Sequence, residues 1–142
     1  KYKISNIQAA LALGQLQRIN ELIALKRRVF GWYKYYLGDL NSINLNFEAP
    51  NTKSVYWMTS LILKKNAKIN RDKLIKVLLN NKIDSRPVFP ELSSFKYWNK
   101  KNVHSHKNSK YLSLNAINLP SGVCLKKYQI KKISNVIKKY LD

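Results

Sequence analysis

A single cysteine, Cys124, excludes an internal disulfide. Seven acidic residues fall at no spacing that suggests paired acid–base work, and taken alone the chain does not read as a complete enzyme. Two histidines, His104 and His106, sit two apart in a Lys/Asn-rich stretch far from the cysteine, which excludes a His/Cys metal constellation. Both read as solvated. Four scattered glycines exclude a glycine-rich phosphate loop. No apolar run reaches the roughly 18 residues a membrane helix needs, and the start lacks the layout of a signal peptide. The missing initiator Met, directly before a helix cap, suggests a fragment or a trimmed domain.

What is present is cationic and globular. The 142 residues carry a net charge of +20, with 45% hydrophobic and 11% aromatic residues, enough for one domain with a real core. Such a charge is the usual mark of a nucleic-acid or anionic-membrane binder. Here 22 of the 27 basic residues are lysine, spread over the whole chain beside abundant Asn. That pattern is what an AT-rich genome writes into any protein. A solvated lysine-rich surface, with no specific nucleic-acid or membrane partner, is the expectation.

Ser5 to Leu37 reads as one long amphipathic helix with Ile7, Leu11, Leu16, Ile19, Leu22/Ile23, Val29/Phe30, Tyr33 and Leu37 at helical spacing. Ser5-Asn6-Ile7-Gln8 has the form of a capping box. Gly31 is the expected point of a kink. Ile43–Phe47 predicts a short strand, and Ser54–Leu63 a buried central one that places Tyr56 and Trp57 in the core. Asn70 predicts the cap of a second helix that ends at Asn80-Asn81-Lys82, with an Asn in the left-handed position. A short strand at Ile83–Arg86 leads into an extended Pro87–Pro90 segment. A helix over His104–Leu114, a strand over Ala116–Leu119 and an amphipathic helix over Tyr128–Leu141 complete an α+β chain. Arg86 is the sharpest candidate for chemistry. Ahead of Pro87, it can bind phosphate or carboxylate bidentately, or pair with Asp84 or with a helix C-terminus. The aromatics Trp32, Tyr33, Tyr35 and Tyr36 read as packing.

Four ordered motifs carry a resemblance: Tyr2–Leu11 with Leu13–Leu16, Val55-Tyr56-Trp57-Met58, Ile83-Asp84-Ser85-Arg86-Pro87-Val88-Phe89-Pro90, and Ile117–Gly122. Together they resemble the DegT/DnrJ/StrS-type sugar aminotransferases, in the perosamine-synthase-like branch. The resemblance implies the C-terminal small domain of a fold-type-I enzyme: a connecting helix over residues 1–40, then an α+β unit over 41–142 with a mostly antiparallel sheet. It implies a cytoplasmic homodimer that uses pyridoxal 5'-phosphate to move an amino group from glutamate to a nucleotide-linked keto-hexose, for surface polysaccharide such as O-antigen. The Schiff-base lysine and the acid facing the pyridine nitrogen would lie outside these residues. No catalytic residue is therefore assigned here, and the chain alone is expected to be inactive.

Carried over by position, Lys1 stands where many members have an Asn that reaches the partner subunit's cofactor phosphate, and Lys3 replaces the usual Arg. Lys3, Arg86 and Phe89 are the implied substrate-binding residues. Glu91-Leu92-Ser93 departs from a His-containing segment of many relatives, which leaves the sugar open. The competing expectations are a free-standing basic nucleic-acid module and a catalytically inactive structural homologue.

Overall fold

The computed structural model describes residues 3–97 and 106–141. Two helices open it. α1 (Asn6–Gln17) starts at Ser5, whose hydroxyl accepts from the Gln8 N–H while the Gln8 side chain accepts from the Ser5 N–H, the capping box read from the sequence. α2 (Ile19–Leu37) follows after one residue. The single long helix is thus two, and the break is at Arg18, not Gly31. Arg18 leaves helical geometry at φ −108° and ψ 12°, and its guanidinium forks onto Glu21. Gly31 stays helical because α2 is held by tertiary packing: Val29, Phe30, Tyr33 and Leu37 are buried on either side of it.

Four strands form one antiparallel sheet in the order β1-β2-β4-β3: β1 (Ile43–Leu45), β2 (Thr59–Leu63), β4 (Ala116–Leu119) and β3 (Arg86–Pro87). β2 alternates as a half-buried strand should, with Thr59, Leu61 and Leu63 inward. Pro87 sits on an edge strand, where its missing N–H costs no ladder bond. α3 (Arg71–Asn80), α4 (Lys107–Asn115) and α5 (Lys127–Leu141) complete the described elements, with a 3-10 turn at Leu92–Ser94. The core joins Tyr33 and Leu37 of α2, Leu61 and Ile117 of the sheet, Leu74 and Leu78 of α3, and Ile130 and Ile137 of α5. Each is fully buried.

Several expectations are corrected. The strand expected over Ser54–Leu63 begins only at Thr59. Upstream, Tyr56 takes a left-handed backbone (φ 47°), which breaks the extended run. Tyr56 is buried as expected, but Trp57 stands at the surface. The left-handed residue closing α3 is Lys82 (φ 58°). Asn81 instead keeps a negative φ of −91°, its backbone N–H and its side-chain amide both donating to Val77 O. The Lys82 N–H then reaches Leu79 O and the Ile83 N–H reaches Leu78 O, which together satisfy the open helix end. β3 starts at Arg86 rather than Ile83. The first residues of the helix expected from His104 lie outside the described residues, and α4 begins at Lys107.

Candidate functional site

A cleft of about 320 Å³ opens where α2, the loop before β2, β3 and the end of β4 converge. Its lining includes Lys26, Trp57, Arg86, Phe89, Asn118 and Ser121. Lys26 builds it. The Lys26 ammonium donates to Trp57 O and to Ser121 O, each at 2.8 Å, so one helix residue ties two loops distant in sequence. Burial lowers the Lys26 pKa. Ser121 continues the tie: its hydroxyl accepts from the Thr59 N–H at 2.8 Å and donates to Leu119 O. Tyr33, buried in α2, donates to Pro120 O at 2.9 Å, and the same burial raises its pKa.

Next to the cleft, Glu48 organises the segment that carries Trp57. Arg27 forks onto the Glu48 carboxylate at 2.7 and 3.1 Å, the Ser54 N–H donates to it at 2.8 Å, and the Tyr56 hydroxyl at 3.2 Å. The Arg27 bonds, then the Ser54 N–H, hold the Glu48 pKa down at about 2. The Tyr56 ring lies flat on Phe30, centroids 3.7 Å apart and planes within 7°.

At the cleft mouth Trp57 and Phe89 face each other with ring planes within 16° and centroids 6.5 Å apart. They are 61% and 65% exposed. Arg86 lies beside them, its guanidinium 3.6 Å from the Asp84 carboxylate with both side chains more than three-quarters exposed. The pairing with Asp84 is therefore the contact the structure displays, and it is an open surface pair.

The residues singled out in the sequence are only partly brought together. Arg86 and Phe89 share the cleft. Lys3 is exposed ahead of α1 and is not among the cleft-lining residues. Lys1 and His104 lie outside the described residues. Lys26 and Trp57 were missed. Lys26 had a signal, since it is a charge on the apolar stripe of α2 between Leu22/Ile23 and Val29/Phe30. Trp57 had none, because its hydrophobic neighbours in sequence suggest burial.

Residues 1–138 match the DegT/DnrJ/EryC1/StrS aminotransferase family. The chain belongs to this family. GDP-perosamine synthase of Vibrio cholerae is 35% identical over 99% of the chain and 38% of that protein. The enzyme of the same name from Caulobacter vibrioides is 32% identical over 93% of the chain and 36% of that protein. The chain thus spans well under half the length of these relatives. The fold is shared with Helicobacter pylori PseC, an aminotransferase involved in the biosynthesis of pseudoaminic acid, at a TM-score of 0.86 and 16% identity over 98% of the chain and 38% of that structure. It is shared equally with S. venezuelae DesV, solved in complex with a ketimine intermediate, at 0.85 and 17% identity over 99% of the chain and 37% of that structure.

A pyridoxal-phosphate site of the Schiff-base kind needs an amine free to form an imine. The cleft lysine, Lys26, does not fit: its ammonium is committed to two main-chain carbonyls. The cleft's one carboxylate, Asp84, is exposed beside Arg86 rather than buried opposite a pyridine nitrogen. Neither the lysine nor the carboxylate of this cleft is therefore placed as a Schiff-base site needs.

Proposed function

We propose that this chain is the C-terminal portion of a pyridoxal-phosphate-dependent aminotransferase acting on a nucleotide-linked keto-hexose, with glutamate as amino donor. The carrying observation is the 35% identity to a GDP-perosamine synthase across nearly the whole chain. A 4-keto-6-deoxyhexose on a GDP carrier is the substrate this favours, for surface polysaccharide, in a homodimeric cytoplasmic enzyme. Residues 1–40 join the two parts of that enzyme, and residues 41–142 form its small domain. Lys1 would face the cofactor phosphate of the partner subunit; Lys3, Arg86 and Phe89 would face the substrate. The cofactor chemistry belongs to the part of the protein outside this chain.

A second observation supports the fragment reading. α1 buries no residue, yet Ile7 and Leu11 stand on one side and Leu13 and Leu16 on the opposite side, all more than half exposed. A helix apolar on both sides belongs inside a larger body. The test is the full-length protein. It is expected to purify with the yellow absorbance of bound pyridoxal phosphate and to aminate a GDP-linked 4-keto-6-deoxyhexose in a glutamate-dependent way. Absence of both cofactor absorbance and amination would overturn the proposal.

A further inference from the structure

We infer that the outer face shared by α2 and α5 docks the protein on an anionic membrane surface. α5 carries five lysines in 15 residues, and no acidic residue lies between Glu91 and Asp142. Its apolar side is spent in the core through Ile130, Ile133, Ile137 and Leu141, so Lys127, Lys131, Lys132 and Lys139 stand exposed on the other side. None of the α5 lysines has an ion-pair partner among the described residues. α2 adds a second row. Arg28, Trp32 and Tyr35 recur at helical spacing and share one side of it, and the one acidic residue of α2, Glu21, is tied to Arg18. The two rows are joined: the Lys127 ammonium lies 5.4 Å from the Tyr35 ring centre, and the Arg28 guanidinium 5.2 Å from that of Trp32.

The side chains on this face name the partner. Tyr35 and Tyr128 are 72% and 71% exposed. Such rings, apolar with a polar tip, settle at the headgroup level of a bilayer, and long lysine stems let their charges reach the lipid phosphates. An anionic leaflet presents a diffuse field that point charges feel without a fixed geometry, worth roughly fivefold in partitioning per lysine or arginine. A polynucleotide asks instead for a basic groove with rings open to its bases. α5 lines none of the described clefts, and Trp32 and Tyr35 each hold a cation over the ring. No described helix is long and apolar enough to cross a membrane, so the contact lies on the bilayer surface.

The test is cosedimentation of the full-length protein with two vesicles, phosphatidylcholine alone and phosphatidylcholine mixed with phosphatidylglycerol. Binding is expected to the mixed vesicles and to fall as salt rises. Lys127→Gln with Lys131→Gln should weaken it by about 25-fold, and Lys127→Arg with Lys131→Arg should retain it. The charge-matched pair Lys53→Gln with Lys65→Gln, on exposed loops elsewhere, should change it by no more than about twofold. Tyr35→Ala with Tyr128→Ala should weaken binding and leave its salt dependence unchanged. All these side chains are exposed, so unchanged circular dichroism and melting are expected in every variant. Equal binding to both vesicles, no binding, or equal losses from the two glutamine pairs overturns the inference. Tighter binding to polyuridylate than to the mixed vesicles, lost with Lys127 and Lys131, also overturns it and gives the face to nucleic acid. None of these outcomes bears on the aminotransferase reading, which falls only on the cofactor and amination test.

Discussion

Glu48 shows how one residue shapes the wall of the cleft. Its carboxylate accepts from Arg27, Ser54 and Tyr56, and so turns a hydrophobic stretch that would otherwise extend as a strand. With its pKa drawn from 4.5 to about 2, the folded form prefers the ionised carboxylate. The stability this contributes is present above pH 4.5 and is lost as pH falls through about 2. Urea unfolding at pH 6, 4 and 2.5 should therefore show wild type losing stability across that span. Glu48→Gln should start lower and decline less steeply. Parallel pH profiles for the two proteins would refute the role assigned to Glu48. None of this was legible in the sequence, where Glu48 reads as part of a break after a short strand. Its partners lie 6, 8 and 21 residues away, beyond the reach of any local pattern.

At the scale of elements, α2 is the beam that carries both the core and the cleft. Its inward face supplies Tyr33 and Leu37 to the core and Lys26 to the loop tie. Gly31 lies on its exposed side, and a methyl group there would meet nothing within 4 Å. Gly31→Ala should therefore stabilise the chain by about 1 kcal/mol, through helix propensity and the lower entropy of the unfolded chain. At Gly38, which caps α2, a methyl group would come within 2.5 Å of Lys34 O, so Gly38→Ala should lower the melting temperature. Thermal melts of the two variants check both signs; a destabilised Gly31→Ala would mean that the glycine is needed for more than space. The caps at Ser5 and Asn70, and the strand Ala116–Leu119, were readable from residues within four positions of one another. The helix break was not. Glycine is the usual sequence sign of a kink, but the packing of Val29, Phe30 and Tyr33 on both sides of Gly31 overrides its propensity, and the interruption falls at Arg18, where no side chain of α1 or at the junction is buried.

For the whole molecule, the apolar surface of α1 and the net charge of +20 pull in opposite directions. Charge keeps copies apart at low salt, and screening lets exposed leucines and isoleucines find each other. Sedimentation velocity of the 142-residue chain should show association that grows with protein concentration and with salt. Leu11→Lys combined with Leu16→Lys should return it to a monomer with little change in melting temperature, because α1 contributes nothing to the core. Association that survives this double substitution would place the sticky surface elsewhere.

The sequence by itself determined the α+β class, the order of the elements, the helix caps, the core stripes of α2, α3 and α5, and the family. These follow from spacing along the chain and from ordered motifs, which survive without knowledge of what lies across the fold. Only the tertiary structure decided that the first helix is two, that Trp57 faces solvent beside Phe89, and that Lys26 holds the cleft. The physical reason is distance in sequence: the carbonyls that fix Lys26 belong to residues 31 and 95 positions away, and no local pattern announces a bond that only the folded chain brings within reach.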